Sequence, residues 1–199
     1  YQIKELNKFK SSTTNLIFDY GVWESNKKVL DFINSKKINY SLNVQTNSLN
    51  FGENLIKKYK NYELCVLDYK EYCLNLGLPV EQFKYQNINS IKRIRNNFYT
   101  RFKKNNSTIV VTLGKDGSVV FNKKSLYYCP VFIKSAIDTT GCGDMFFLIF
   151  SLLIKNNTPL RLSQFLATAY AGLHSLFIGN KKIVDKFEFI KYINFLYKI

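Results

Sequence analysis

The sequence predicts an α/β protein built on an open, mostly parallel sheet with flanking helices. Three short apolar runs, at 15–19, 64–68 and 108–112, have the length and the apolar or β-branched content of buried strands. Longer stretches with apolar residues at helical spacing separate these runs. This alternation of strand and helix is typical of parallel sheets whose strands are joined by crossover helices.

The predicted elements follow one another in a regular order. After the first strand, residues 24–35 predict a helix, 40–44 a weaker strand and 50–59 a short helix. After the strand at 108–112, two apolar runs flank Asn122-Lys123-Lys124 in the pattern of a β-hairpin. The hairpin strands are 118–121 and 125–129, and the remaining predicted helices are 69–76, 80–85, 88–103, 141–155, 161–177 and 186–198.

The formal net charge of +15 raises the question of a nucleic-acid or membrane-surface partner. The lysines are scattered through a sequence that is also rich in Asn, Ile, Tyr and Phe, which indicates a broad compositional bias. The densest basic stretch, 92–104, has the spacing of an amphipathic helix with a basic outer face. The apolar run 145–154 is about half as long as a membrane-spanning helix. Nucleic-acid binding stays a secondary hypothesis, and no membrane partner is expected.

Cysteine and histidine usage argues against several classes of site. The four cysteines show neither a C-x-x-C pair nor a zinc-like spacing. They indicate small buried thiols in a reducing compartment, and hence a cytoplasmic protein. The one histidine, His174, lies in an apolar stretch that favours packing within a helix. A Ser-His-Asp site is therefore not expected.

The most informative motif is Asp-Thr-Thr-Gly-Cys-Gly-Asp at 138–144, directly before an apolar block. Gly141 and Gly143 let the backbone approach a ligand closely. A helix that begins there presents N–H groups and a positive dipole end to an anion. Asp144, in the first turn, can accept a proton from a nucleophile that attacks a phosphoryl group. The motif predicts a phosphoryl-transfer site, with a capped helix start of no further function as the alternative.

Two other segments carry candidate ligands. Thr112, Gly114 and Gly117 form a Thr-x-Gly-x-x-Gly pattern whose hydroxyl and backbone amides can face a phosphate, although a plain turn into the hairpin also fits. Asp68 and Glu71 lie three residues apart at a predicted strand-to-helix junction. They fit either a helix N-cap with an acidic first turn or a water-mediated Mg²⁺ site.

Together these segments resemble the ribokinase (PfkB) family of carbohydrate kinases, whose signature is similar to residues 138–144. The resemblance implies a catalytic role for the base Asp144 and, through their amides, for Gly141, Cys142 and Gly143. It implies that the nucleotide is bound by Thr112, Gly114, Gly117 and Asn180. The family's usual residue at position 142 is Ala. Because a helix N-terminus can lower a thiol pKa, Cys142 is predicted to be sensitive to oxidation or alkylation.

The metal and sugar ligands follow from the same resemblance. Family members carry Asn-x-x-Glu where this chain has Asp68 and Glu71, which implies that Glu71 organises Mg²⁺. Asp-Tyr-Gly at 19–21 resembles the heptose-phosphate kinase branch, including the kinase half of bifunctional ADP-heptose synthase-type proteins. Trp23 stands where that branch has Gly. The implied sugar-binding residues are Asp19, Gly21 and Asn43.

The resemblance runs over about 15–198 but covers only the C-terminal part of the family's fold. Residues 1–199 are therefore expected to be the C-terminal part of a single kinase domain, without its lid and first strands. The implied activity is ATP-dependent phosphorylation of a sugar or sugar phosphate, with Mg²⁺ and, as a further candidate, a monovalent cation. A fused nucleotidyltransferase domain or a homodimer is compatible with this activity. The alternative is a non-catalytic nucleotide-binding module or degenerate kinase fragment.

Overall fold

The computed structural model describes residues 14–21, 27–35, 39–47, 52–81, 84–103, 105–179 and 181–198. The strands within these ranges are β1 (Leu16–Asp19), β2 (Tyr40–Val44), β3 (Tyr62–Asp68), β4 (Thr108–Thr112), β5 (Ser118–Phe121) and β6 (Leu126–Cys129). The α-helices are α1 (Lys27–Ser35), α2 (Tyr69–Leu76), α3 (Ile88–Arg101), α4 (Cys142–Lys155), α5 (Leu160–His174) and α6 (Lys186–Leu196). Short 3₁₀ helices occupy Ile56–Lys58 and Gly114–Asp116.

The six strands form one open sheet in the order β1-β2-β3-β4-β5-β6. Strands β1 to β4 pair in parallel, with Asp19 opposite Val44 and Asp68 opposite Thr112. The backbone N–H of Asn122 donates to the carbonyl of Ser125 at 3.0 Å and closes the turn between β5 and β6. The predicted α/β fold with an open, mostly parallel sheet and flanking helices is confirmed.

The chain divides into two compact units. The first consists of Tyr1–Thr112 and Val119–Leu126, and the second of Leu113–Ser118 and Tyr127–Ile199. The core of the first unit lies on the central strands, where consecutive apolar side chains such as Leu64, Cys65 and Val66 are at most 1% exposed. Burial of consecutive residues means that both faces of the sheet are covered, which is typical of parallel sheets.

Helix α3 carries the densest basic stretch of the chain, and it is amphipathic as predicted. Ile91, Ile94 and Phe98 recur at helical spacing and are buried, whereas Lys92 and Arg93 are exposed. Lys92 and Arg93 thus lie on the solvent-facing side of a packed helix. Within the described ranges, no helix combines the length and apolar content needed to cross a bilayer.

In the second unit, α4 packs against α5. The rings of Phe146 and Phe150 stack in α4 with centroids 5.7 Å apart. The buried side chain of Gln164 in α5 donates from Nε2 to the carbonyl and the hydroxyl of Ser118, at 2.9 and 3.1 Å. A buried amide with satisfied partners fixes the position of the helix that carries it. His174, also in α5, is 3% exposed, in agreement with packing in a helix.

Two of the predicted helices are wrong. Instead of a helix over 50–59, the described part of this stretch is a turn followed by the 3₁₀ helix Ile56–Lys58. The reason is tertiary, because the Ile56 N–H donates to Oδ1 of Asn75 at 2.7 Å. Of the segment 80–85, the described residues 80, 81, 84 and 85 have no regular structure and are exposed. An apolar pattern without a buried face is not sufficient for a helix.

Residues 24–26 of the first predicted helix, like Trp23, lie outside the described residues.

Candidate active site

In the first unit, predicted ligand residues lie at the carboxyl ends of β1 to β4, but on different faces of the sheet. Residues paired across a parallel sheet project to the same side, and neighbours along a strand project to opposite sides. Asp19 pairs with Val44, whereas Asn43 pairs with Phe18. Asp19 and Asn43 therefore project from opposite faces, and the sheet does not bring these two predicted sugar ligands together.

Asp19 organises the loops that follow β1 and β2. Its side chain is fully buried, and Oδ1 accepts the N–H of Gly21 at 2.8 Å. Gly21 has φ of 90°, a left-handed conformation that glycine adopts without strain. The Asp19 carbonyl accepts from the N–H of Gln45 at 2.8 Å and from Nδ2 of Asn54 at 3.0 Å. The Asp-Tyr-Gly segment is thus a fixed turn.

Two buried asparagines complete this edge of the first unit. Asn43 is 5% exposed and donates from Nδ2 to the carbonyl of Val66 at 3.0 Å, which links β2 to β3. Asn54 is 1% exposed and also donates to the Gln45 carbonyl, at 3.1 Å. Sequence reasoning missed Asn54, since a single Asn in so Asn-rich a chain carries no signal.

Asp68 and Glu71 form a capping box at the start of α2. Oδ1 of Asp68 accepts the N–H of Glu71 at 2.7 Å, and Oε2 of Glu71 accepts the N–H of Asp68 at 2.8 Å. Oε1 of Glu71 accepts the N–H of Thr46, from the loop after β2, at 2.9 Å. Glu71 is only 5% exposed, so it suits an indirect, water-mediated role better than direct contact with an ion. Among the described residues, no group of three or more His, Cys, Asp or Glu is arranged to hold a metal.

The glycines of the Thr112–Gly117 pattern differ in their surroundings. Thr112 is half-buried at the end of β4, in the first unit. In the second unit, Gly114 is exposed, and a Cβ added there would meet no atom within 4 Å. Gly117 is buried with φ of 88°, and a Cβ there would lie 2.1 Å from the carbonyl oxygen of Cys129. Gly117 is therefore required for packing, whereas Gly114 borders open space.

Residues 138–144 form the turn that opens α4. Gly141 has φ of 77° and precedes the helix, and its carbonyl accepts the N–H of Met145 at 2.9 Å. The N–H of Cys142 donates to the carbonyl of Thr139 at 3.2 Å, so this amide is engaged within the turn. Gly143 is exposed, and a Cβ added to it would meet nothing within 4 Å. Asp144 lies in the first helical turn and is half-buried.

Asp138, to which sequence analysis assigned no separate role, holds two loops of the second unit. Oδ1 accepts the N–H of Thr140 at 2.9 Å, and Oδ2 accepts the N–H of Gly179 at 2.7 Å. These N–H groups, that of Thr140 first, hold the pKa of the Asp138 carboxyl below its ordinary value. The Asp-x-Thr spacing is a local signal for the first bond. No local pattern predicts the second. Asn180, the implied adenine contact, lies outside the described residues.

The predicted activation of Cys142 is wrong in direction. Burial raises the pKa of the Cys142 thiol above its usual value, and the negative charge of Asp138 raises it further. The cysteine stands at a helix N-terminus, but desolvation and the neighbouring carboxylate both shift its pKa upward.

Alkylation of Cys142 by iodoacetamide should therefore be slow at pH 7.5. Because the reactive form is the thiolate, the rate should rise steadily up to pH 9 without a plateau. The rate is measured by mass spectrometry of the peptide that contains Cys142, with a short Cys peptide in the same tube as reference. A rate that levels off below pH 8 would show a lowered thiol pKa and contradict this reading.

Solved structures of ribokinases and other sugar kinases share the open α/β fold of this chain. Two solved structures share the fold over nearly the whole chain. Phosphofructokinase-2 from Escherichia coli, in complex with substrates and products, matches with a TM-score of 0.72 at 16% identity and covers 98% of this chain. A putative sugar kinase from Clostridium perfringens matches with a TM-score of 0.69 at 16% identity and covers 98% of it. At this level of identity the matches show the fold alone.

Sequence comparisons match part of the chain to a carbohydrate-kinase family. Residues 83–175 match the model for the pfkB family carbohydrate kinase. A ribokinase from Dictyostelium discoideum is 33% identical over 79 residues, which is 38% of this chain and 24% of the relative. Over these segments the chain is similar to pfkB family carbohydrate kinases and to a ribokinase, and neither match distinguishes a heptose-phosphate branch. The chain covers 60% and 58% of the two solved structures.

The family match covers only part of the candidate site. Both the Thr112–Gly117 pattern and the motif at 138–144 fall within residues 83–175. Asp19, Asn43, Asp68 and Glu71 fall outside that segment. The predicted catalytic residues and Thr112, Gly114 and Gly117 therefore lie within the matched segment, whereas Asn180 and the predicted sugar and metal ligands lie outside it.

Proposed function

We propose that this chain is part of a kinase that transfers the γ-phosphoryl group of ATP to a hydroxyl of a sugar or sugar phosphate. The observation that carries this proposal is the turn at 138–144. In this turn Gly141 is left-handed, Gly143 borders open space, and Asp144 carries a carboxylate in the first turn of the 14-residue helix α4. The turn lies inside the segment that matches the carbohydrate-kinase family.

In the proposed mechanism, Asp144 accepts the proton of the sugar hydroxyl while its oxygen attacks the γ-phosphorus. The bond to the bridging oxygen of ATP breaks, and ADP leaves with the electron pair. The positive end of the α4 dipole and the N–H groups around Gly143 stabilise the charge on the transferred group. The N–H of Cys142 already donates to the Thr139 carbonyl. To bind the phosphoryl oxygen it would have to break this bond, and otherwise only the N–H groups of Gly141 and Gly143 stabilise the phosphoryl charge.

We assign nucleotide positioning to Thr112 and Gly114, with Gly117 supporting the turn and Asn180 as a further contact. Mg²⁺, when bound, would neutralise phosphate charge, and Glu71 is the residue proposed to orient its water shell. The Thr46 and Asp68 N–H groups hold the Glu71 carboxylate in one orientation, which supports such a role. Asp68 is the cap of α2 and has no separate metal role in this proposal.

A monovalent cation is a further proposed cofactor. Phosphofructokinase-2 from E. coli has been solved in complex with potassium. In this chain Asp138, at the start of the turn at 138–144, is the carboxylate proposed to lie near such a cation, and the N–H groups of Thr140 and Gly179 hold its pKa below the ordinary value. A cytoplasmic location agrees with the buried free thiols of Cys65, Cys73 and Cys129. We also propose, on the family resemblance alone, a fused nucleotidyltransferase domain or a homodimer.

For the acceptor, a heptose phosphate is the specific candidate, on the resemblance of Asp19-Tyr20-Gly21 to that branch. Asp19 and Gly21 form a fixed turn that can present backbone and carboxylate groups. Asn43 supports the sheet through Val66 and projects from the other face. We therefore expect Asp19 and Gly21 to matter more for the sugar than Asn43.

A second candidate is a nucleotide-binding module without kinase activity. It is favoured by the capping box, in which the carboxylates of Asp68 and Glu71 accept backbone N–H groups at the start of α2. If that is their whole function, the metal would lack its protein anchor while the turn at 138–144 could still bind an anion.

A coupled ADP-release screen of the full-length protein separates the two candidates. The screen supplies ATP with Mg²⁺ and K⁺ and tests sugars, hexose phosphates and heptose phosphates in turn. A kinase should release ADP only with one class of acceptor, above the rate without acceptor. Binding of a fluorescent ADP analogue without ADP release for any acceptor would select the non-catalytic module.

A further inference from the structure

We propose that Asp138 is a positioning residue, whose carboxylate joins the turn before α4 to the loop after α5 and so sets the geometry of the site. The inference rests on the proposed function, because both loops belong to the proposed nucleotide and phosphoryl site. Asp138 need not touch the substrate. It acts through the groups that it holds.

The two carboxylate oxygens of Asp138 have separate tasks. Oδ1 accepts the N–H of Thr140 at 2.9 Å, within the turn that carries Gly141, Gly143 and Asp144. Oδ2 accepts the N–H of Gly179 at 2.7 Å, 41 residues away in the sequence. Bonds from N–H groups to an ionised carboxylate are short and about twice as strong as those between neutral groups. One side chain therefore connects two loops that have no neighbouring residues in sequence.

The bases of the two loops are attached independently of this side chain. The carbonyl of Ser175 accepts the backbone N–H groups of Ile137 and Asp138, at 2.8 and 3.1 Å. These bonds persist whatever side chain stands at position 138. Loss of the carboxylate should therefore leave the fold intact and release the parts of the loops nearest the ligand, at Thr140 and Gly179.

Release of these two points has a chemical consequence. The turn at 139–143 supplies the amides for the phosphoryl group and leads directly to Asp144. Gly179 precedes Asn180, the proposed contact to the base of the nucleotide. Since misplacement of reacting groups by about 1 Å can cost on the order of 10²-fold in rate, loosening either loop should weaken nucleotide binding and turnover together.

The test compares Asp138→Ala, which removes both acceptors, with Asp138→Asn, which keeps the shape and one carbonyl oxygen. Asp185→Ala is the matched control. Oδ1 of Asp185 also accepts two backbone N–H groups, those of Phe187 and Glu188, at 2.8 and 2.9 Å, but at the start of α6. Asp138→Ala should raise the dissociation constant of a fluorescent ADP analogue at least tenfold, Asp138→Asn by less, and Asp185→Ala by under twofold.

Hydrogen exchange gives a readout that does not need activity. In Asp138→Ala the amides of Thr140 and Gly179 should exchange at least tenfold faster, while in Asp185→Ala they should stay within twofold of wild type. Melting curves confirm that each variant is folded. If Asp138→Ala does not fold, the same measurements are made on Asp138→Asn. Unchanged exchange of both amides, or unchanged nucleotide affinity once both are released, would overturn the inference.

The two proposals can fail separately. If wild-type protein releases no ADP but Asp138→Ala weakens nucleotide binding and frees both amides, phosphoryl transfer is wrong and the role of Asp138 stands. If wild-type protein releases ADP and Asp138→Ala has normal kcat, KM and exchange, the role of Asp138 is wrong and the kinase stands. If wild-type protein binds no nucleotide, the proposed function is wrong, and exchange at Thr140 and Gly179 alone decides whether Asp138 joins the loops.

Discussion

Asp144→Asn should lower kcat for sugar phosphorylation by about 10²–10⁴-fold, the usual contribution of a general base. The amide has the shape of the carboxylate but cannot accept the hydroxyl proton. The dissociation constant of a fluorescent ADP analogue should change by less than about threefold. Turnover is measured by coupled ADP release with both substrates saturating.

The matched control is Asp31→Asn, which removes an exposed carboxylate from α1. Both variants lose one negative charge, so a general electrostatic effect on ATP would appear in both. Turnover near wild type in Asp144→Asn would remove the base from the proposed mechanism. Equal losses in the two variants would point to net charge instead of proton transfer.

Gly117→Ala should destabilise the protein by about 4 kcal/mol, from overpacking and backbone strain together. The new Cβ would lie 2.1 Å from the carbonyl oxygen of Cys129 and 2.8 Å from Cα of Pro130, both of which are backbone atoms. Neither atom can move aside as a flexible side chain would. The free energy of unfolding is measured by urea denaturation, followed by circular dichroism.

Gly77→Ala measures the cost of an ordinary left-handed backbone without a clash, whereas Gly117, at φ of 88° and ψ of −136°, adds a larger strain to the contact. Gly77 has φ of 68° and ends α2, but a Cβ there would meet no atom within 4 Å. The control should therefore cost only about 1–2 kcal/mol, the penalty of a left-handed conformation for a residue with a side chain. Equal destabilisation by the two substitutions would show that the contact with Cys129 does not decide the outcome.

The fold could be predicted wherever burial and periodicity coincide. Strands β2 and β4 and helix α2 begin and end at the predicted residues. The apolar side chains of the two strands are buried as in a covered parallel sheet, and α2 buries Tyr72 and Cys73. The segment 50–59 failed for a tertiary reason. An Asn75 side chain, 19 residues away, takes the N–H that would have continued a helix at Ile56.

The site could be predicted where its chemistry is local. The motif at 138–144 places glycines, a helix start and Asp144 within one short stretch, so residue types and spacing alone indicate phosphoryl transfer. The supporting contacts join distant parts of the chain. Asn54 and the Asp19 carbonyl are 35 residues apart, and Thr46 and Glu71 are 25 apart. No spacing rule in the sequence predicts such pairs.

The sequence by itself predicted the α/β fold and the residue proposed to move the proton. A phosphate site at a helix start depends on residues adjacent in the chain, and adjacency is visible in sequence. Only the tertiary structure decided that Gly117 serves packing and Gly114 does not, that burial raises the pKa of Cys142, and that Asp138 holds Gly179. Each of these results depends on which atoms from remote segments lie within a few ångströms. Packing sets those distances, and the order of residues does not reveal them.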